Sequence, residues 1–137
     1  MRVFGGNAMA WPITSLTAAL LGLGLVALSL FVSFGRRSTG IDLGDGDNPL
    51  LSRRIRVHAN FIETVPIPLV LLALFEAQGP ARELLWITAT LLVCGRAAHV
   101  AGMLMRNLPL RAGGMLATHA ATAIPAFGLL AYASNAV

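Results

Sequence analysis

Several residue types that soluble domains use freely are scarce in this chain of 137 residues. It contains no lysine, one cysteine, one tyrosine and six acidic residues. Charged residues make up 12% of the chain, against roughly 25% in a soluble globular domain. The low charge argues against a soluble fold, and a single cysteine, Cys94, excludes a disulfide framework within the chain.

Apolar residues dominate instead, at 56% of the chain and a mean hydropathy of +0.74. Four long apolar stretches each approach the roughly 20 residues that cross a bilayer. They predict an all-α integral membrane protein with helices at about 12–35, 50–78, 83–106 and 111–135 in one domain, 1–137. The first stretch exceeds the apolar region of a secretory signal, so we expect it to be retained. The short connections favour an up-down four-helix bundle.

All ten basic residues are arginines, and they are unevenly distributed. One side of the predicted bundle carries Arg36, Arg37, Arg53, Arg54, Arg56, Arg106 and Arg111. The other side carries Arg2 and Arg82. Because positive loops stay in the cytoplasm, both termini are predicted to be non-cytoplasmic in a multi-pass protein, of the inner membrane if bacterial. This bias accounts for the net charge of +4, and we predict no nucleic-acid partner.

The second predicted helix carries a polar stripe close to the membrane. Arg53, Arg56, Asn60 and Glu63 recur at intervals of three, four and three residues, which keeps them on one helix face. The third helix adds Arg96 and His99, three residues apart among small residues. An ionised side chain near the bilayer centre costs about 2.5 to 3.5 kcal/mol on insertion scales, so these groups must pair or line a polar cavity.

Two interpretations of this cluster are open. An Arg–Glu pair between helices can simply fix their register, whereas a cluster of arginines with a carboxylate and an amide can bind a small zwitterion or polyanion. No metal site is predicted, since His58, His99 and His119 lie on different helices without a carboxylate pair at ligand spacing.

The segment RVHANFIETVP resembles the signature of the membrane-associated proteins in eicosanoid and glutathione metabolism, the MAPEG family. The similarity extends over the four spans and includes GRAAHVAGM and NLPLRAGG. It implies a homotrimer within membrane lipids that binds glutathione between subunits at the cytoplasmic leaflet. The implied activity is transfer of glutathione to lipophilic electrophiles from the bilayer, with reduction of lipid hydroperoxides as a second activity.

The resemblance also implies roles for individual residues. Arg111 matches the arginine that stabilises the thiolate in family members, with Arg106 as the second candidate for this catalytic role. The implied glutathione-binding residues are Arg36, Arg37, Arg53, Arg56, His58, Asn60, Glu63, Arg96 and His99. Either Arg36 or Arg37 corresponds to the basic residue of the first helix.

The chain departs from the eicosanoid-metabolising members at several positions. Met103 and Met115 replace tyrosines, Ala112 replaces a serine and Ala59 replaces an arginine. These changes argue against prostaglandin chemistry and keep a second hypothesis open, a non-catalytic scaffold of the same fold that binds lipid or thiol. A third hypothesis is a small proton-coupled exporter that uses Glu63. It is less favoured, because such an exporter requires a lone membrane carboxylate, whereas Glu63 is surrounded by arginines.

Overall fold

The computed structural model describes residues 11–135, and these residues form only helices and turns. The helices are α1 (Pro12–Thr39), α2 (Pro49–Thr64), α3 (Pro66–Ala77), α4 (Arg82–Leu104) and α5 (Leu108–Asn135). Because α2 and α3 form one span, four segments are long and apolar enough to cross a membrane. The predicted all-α, four-span membrane fold is confirmed. Arg2 lies outside the described residues.

The first helix is longer than its apolar stretch. It continues to Thr39 and ends at Gly40, whose φ of 68° is the left-handed conformation that glycine adopts at helix ends. The guanidinium of Arg36 donates from Nη1 to the carbonyl oxygens of Asp42 at 3.3 Å and Gly44 at 2.8 Å. The loop between α1 and α2 is therefore folded back onto the end of α1.

The second span is interrupted at Val65, between α2 and α3. Pro66 and Pro68 have no N–H, so the carbonyl oxygens of Ile62 and Thr64 lose their usual helical partners. The ladder resumes at once, since Leu69 N–H donates to the Val65 oxygen at 3.2 Å. The polar stripe consequently belongs to α2, and α3 is an apolar helix.

Two apolar clusters fill the bundle. One contains Ile13, Leu72, Phe75, Leu85 and Ala89, and the other contains Leu21, Phe61, Val65, Leu92 and Ala121. Large apolar side chains also cover the outer surface, among them Phe127, which is 72% exposed. This distribution suits a bundle whose surroundings are apolar.

The α4 and α5 helices form the most extensive helix pair, and glycines allow their close contact. A Cβ atom at residue 102 would collide with the backbone of Arg111, and one at residue 114 would collide with the backbone of His99. At residue 95, a Cβ would lie 2.9 Å from that of Ala117. Small residues allow such contact in membranes, where packing replaces the hydrophobic effect as the main attraction between helices.

The start of α1 is held by a residue far away in the sequence. Glu76, near the end of α3, accepts hydrogen bonds from the backbone N–H groups of Ile13 at 3.1 Å and Thr14 at 2.8 Å. Its carboxylate thus satisfies two of the unpaired N–H groups of the helix start and complements the helix dipole. This contact joins the first and second spans at the end of the bundle opposite the α4–α5 turn.

The glycine contact predicts unequal effects at two adjacent positions of α5. Gly114→Ala should lower the free energy of unfolding by more than about 2 kcal/mol, because backbone atoms must move to admit the methyl group. Gly113→Ala is the matched control, because nothing lies within 4 Å of a Cβ at that position. It should be neutral or stabilise the helix by about 0.5 to 1 kcal/mol. Thermal unfolding in detergent measures both, and equal effects would contradict the close contact.

The capping contact gives a second prediction. Glu76→Ala should lower the free energy of unfolding by about 1 to 2 kcal/mol, since it removes two hydrogen bonds to a charged acceptor at a helix start. Glu83→Ala removes an exposed carboxylate at the start of α4 and should change stability by less than about 0.5 kcal/mol. A Glu76 variant as stable as the Glu83 variant would show that the cap contributes little.

Candidate functional site

A cavity opens among α2, α4 and α5 at the end of the bundle that carries the α4–α5 turn. Its volume is about 570 Å³. The residues lining it, here called the arginine cavity, are Pro49, Ser52, Arg53, Arg56, Gly102, Met103, Arg106, Asn107, Leu108 and Arg111. Four of them are arginines, and the lining contains no acidic residue. Its electrostatic character is therefore that of an anion-binding site.

A smaller recess adjoins this cavity and contains the carboxylate. Its volume is about 50 Å³, and its lining residues are Arg56, Ala59, Asn60, Glu63, Met103 and Arg111. Arg56, Met103 and Arg111 line both spaces. We call this smaller space the carboxylate recess, because Glu63 is its acidic residue. Together the two spaces offer guanidinium groups, one carboxylate and one amide to a ligand.

The α2 wall is built by a well-capped helix. The Asn48 side chain accepts hydrogen bonds from the N–H groups of Leu50 and Leu51, both at 3.0 Å, and Pro49 occupies the first turn. The helical period then brings Arg53, Arg56, Asn60 and Glu63 to the two spaces, in agreement with the predicted stripe. Arg53 also donates from Nη1 to the carbonyl oxygen of Leu104, at 3.5 Å, at the end of α4.

Arg96 lies behind the α2 wall and is 1% exposed. Its Nη2 donates to the Asn60 side-chain oxygen at 2.7 Å, and its guanidinium carbon lies 5.7 Å from the centre of the Phe61 ring. Nε and Nη1 are buried and have no partner among residues 11–135. Arg96 does not line either space. Its side chain contacts Asn60, which lines the carboxylate recess.

His99 supports the α5 wall through a hydrogen bond, as Arg96 supports the α2 wall. It is 1% exposed, and its Nδ1 lies 2.9 Å from the carbonyl oxygen of Arg111. Because a carbonyl oxygen only accepts, Nδ1 carries the hydrogen and donates it. Two buried polar residues of α4, three positions apart, thus hold both walls: Arg96 contacts α2 and His99 contacts α5.

The turn between α4 and α5 positions the remaining arginines. Arg106 has a φ of 57°, a left-handed conformation that glycine normally supplies at this position. Asn107 N–H donates to the Gly102 oxygen at 2.9 Å, closing the end of α4. The Asn107 side-chain oxygen accepts from Leu110 N–H at 2.9 Å and caps α5. Arg111 therefore lies in the first turn of α5, where the helix dipole favours anions.

Three other predicted residues do not line the two spaces of the described chain. Arg36 is engaged with its own loop, Arg37 is exposed near the end of α1, and His58 is partly buried on α2. Arg54 is not among the predicted site residues, and it joins α2 to α1. Its Nη1 donates to the Phe31 oxygen at 3.1 Å, and its guanidinium lies 4.1 Å above the Phe31 ring.

Sequence reasoning also missed two polar residues of the arginine cavity. Ser52 lies four positions before Arg56, so the helical period could have identified it. Hydrogen bonding from the Ser52 side chain, and then from the Asp47 backbone, lowers the pKa of the exposed Asp45 carboxyl below its usual value. Asn107 could have been recognised only as the cap of the next helix.

Comparison with known proteins agrees with the family resemblance seen in the sequence. The family model of the MAPEG family matches residues 14–131. The inner membrane protein YecN of Escherichia coli strain K12 is 33% identical over 106 residues, covering 77% of this chain and 81% of that protein. YecN of Escherichia coli O6:H1 strain CFT073 matches with the same identity and coverage.

The conformation of Arg106 predicts opposite effects on stability and binding. Arg106→Gly should raise the free energy of unfolding by about 1 kcal/mol, because glycine adopts a positive φ without strain. It should also weaken the binding of small carboxylate anions, since it removes one guanidinium from the cavity. Met105→Gly is the control at the neighbouring position, where φ is −84° and glycine should lower stability by about 0.5 to 1 kcal/mol. Thermal unfolding and calorimetry measure both properties, and a destabilised Arg106→Gly variant would overturn the prediction.

Proposed function

The chain belongs to the MAPEG family, and on that premise we propose that it is a glutathione transferase of the inner membrane. In this proposal it conjugates the thiolate of glutathione to lipophilic electrophiles that enter from the bilayer. The observation that carries it is the adjacency of the arginine cavity and the carboxylate recess, with Arg56 and Arg111 lining both. The YecN relatives are named as inner membrane proteins, which supports the inner membrane as the location.

The groups of the two spaces complement those of glutathione. The tripeptide carries two carboxylates, one ammonium group and one thiol. Arg53 and Arg56 of the arginine cavity can grip carboxylates with paired N–H groups. Glu63 of the recess can pair with the ammonium group. A dicarboxylate with a single amine therefore matches four arginines and one carboxylate better than a cation or a neutral molecule would.

The proposed chemistry requires the thiol to be ionised. A free thiol has a pKa of about 8.5, and lowering it by about two pH units corresponds to about 2.7 kcal/mol of stabilisation of the thiolate. Arg111 is our first candidate for this role, because its guanidinium is combined with the positive end of the α5 dipole. Arg106 is the second candidate. The thiolate sulfur then forms a bond to an electrophilic carbon, and the leaving group departs with its electron pair.

The exposure of ionisable groups in a single chain supports self-association, and the family resemblance makes a homotrimer the proposed form of it. Arg56, Glu63 and Arg111 are exposed in the isolated chain, although Glu63 lies near the middle of the second span. His119, within the fourth span, is also exposed. Because ionisable groups rarely face lipid, neighbouring copies are the natural cover for these faces.

In the proposed orientation both termini are non-cytoplasmic and the site is at the cytoplasmic leaflet. Arg36 or Arg37 of a neighbouring copy then reaches the bound thiol, and His58 lies near it.

A second candidate function is a scaffold that binds glutathione or lipid without catalysis. The specific observation in its favour is Met103, which lines both spaces and has no group to donate to a thiolate. Reduction of lipid hydroperoxides would need the same ionised thiol as conjugation. A scaffold would retain binding and lack both activities.

The purified protein in detergent should bind glutathione in calorimetry and conjugate it to a chlorinated nitrobenzene, with absorbance as the readout. Arg111→Ala should lower kcat about a hundredfold or more, because it removes the charge that stabilises the thiolate. Glu63→Gln should act mainly on glutathione affinity. Arg82→Ala, an exposed arginine at the start of α4, is the control and should match the wild type.

Each result of this experiment has a distinct meaning. Binding without turnover in the wild type would favour the scaffold, and absence of glutathione binding would overturn the transferase and any scaffold that acts through glutathione. Native mass spectrometry of the same preparation measures the oligomeric state. A monomer that conjugates glutathione would overturn the trimer while leaving the activity in place.

A further inference from the structure

We infer that Arg96 is a positioning residue that fixes the orientation of the Asn60 amide, so that its NH₂ group faces the carboxylate recess and donates to a carboxylate of the bound thiol. The inference rests on the proposed function for the identity of the ligand. It assigns Arg96 a role through Asn60 instead of a contact with glutathione.

Hydrogen-bond chemistry fixes which end of the Asn60 amide faces Arg96. Arg96 Nη2 lies 2.7 Å from the Asn60 side-chain oxygen. A guanidinium can only donate, so the atom of Asn60 that faces it must be the oxygen. The two ends of an amide point in different directions, and the NH₂ group is consequently turned away from Arg96.

The position of Asn60 between Arg96 and the recess sets the direction of its NH₂ group. Asn60 lines the carboxylate recess with Arg56, Glu63 and Arg111, whereas Arg96 does not. Within residues 11–135 the hydrogen bond of the Asn60 side chain is the one to Arg96. The recess therefore contains a directed donor that is free to bind an acceptor. A carboxylate is the strongest common acceptor of this kind, and glutathione has two carboxylates.

Arg96 is a rigid support for the Asn60 side chain. Its side chain is 1% exposed, and it is among the largest fully buried side chains. Two of its nitrogens, Nε and Nη1, have no partner in the described part of the chain. A buried charge without full compensation is costly, so its one short hydrogen bond is not readily given up. Asn60 cannot turn its oxygen toward the recess without breaking that bond.

Replacing Asn60 by aspartate separates orientation from general structural support. Asn60→Asp keeps the shape and supplies a negative charge to Arg96, so the unfolding temperature of the ligand-free protein should rise. The same change replaces the donor in the recess by a second acceptor. Glutathione affinity should therefore fall by about ten- to a hundredfold. A purely structural role would move stability and affinity in the same direction.

Two further variants make the test specific. In an Arg96→Gln background, Asn60→Asp should no longer raise the unfolding temperature, because the cation that the carboxylate compensates is absent. Asn48→Asp introduces the same change at the cap of the same helix, outside both spaces. Aspartate caps a helix as well as asparagine does, so this control should retain wild-type affinity.

The outcomes distinguish the inference from the proposed function. Wild-type glutathione affinity in the stabilised Asn60→Asp protein would overturn the donor role of the amide. A fall in unfolding temperature, or an equal rise in the Arg96→Gln background, would overturn the orientation by Arg96. If the wild type itself does not bind glutathione, the proposed function and the carboxylate donor role both fail, and the two unfolding measurements still decide the orientation.

Discussion

The site depends on the contact between the backbones of α4 and α5. Gly102 packs against the backbone of Arg111, and Gly114 packs against that of His99. In hydrocarbon, helices gain little from burying apolar surface against each other, so close packing must hold them. Only at this short separation can His99 donate to the Arg111 carbonyl at 2.9 Å. The same contact fixes the start of α5, and with it the direction from which Arg111 enters the cavity.

The polar residues around the two spaces divide into two sets with different tasks. Arg96 and His99 are almost completely buried and hold the walls. Arg56, Glu63 and Arg111 are exposed in the single chain and line the two spaces. The register interpretation and the binding interpretation of the sequence are therefore compatible. Helix register is held by a pair of buried residues on α4, which leaves the ionisable residues of the cavity walls available for other contacts.

Periodicity explains how much of this arrangement could be predicted. Arg53, Arg56, Asn60 and Glu63 were assigned to one wall because the helical repeat fixes which side chains share a face. The repeat does not say which neighbour covers that face, so it could not distinguish Arg96, which is buried behind Asn60, from a residue that lines the recess. The contact of Glu76 with Ile13 and Thr14 joins residues far apart in the chain, and no local pattern indicates it.

The arginine cavity brings four positive charges close together. The backbone of Arg106 is set in the turn that follows α4, and Arg53 is bonded to the end of α4, so both residues are attached at the same end of the cavity. Their mutual repulsion is reduced by water and by Glu63, yet the arginines of the cavity outnumber the carboxylate of the recess. An anion that binds there relieves this repulsion in the folded state alone. By linkage, such a ligand stabilises the fold by an amount that rises with its concentration relative to its dissociation constant. One arrangement of arginines thus sets both the positive character of the cavity and the polyanion affinity that we propose for it.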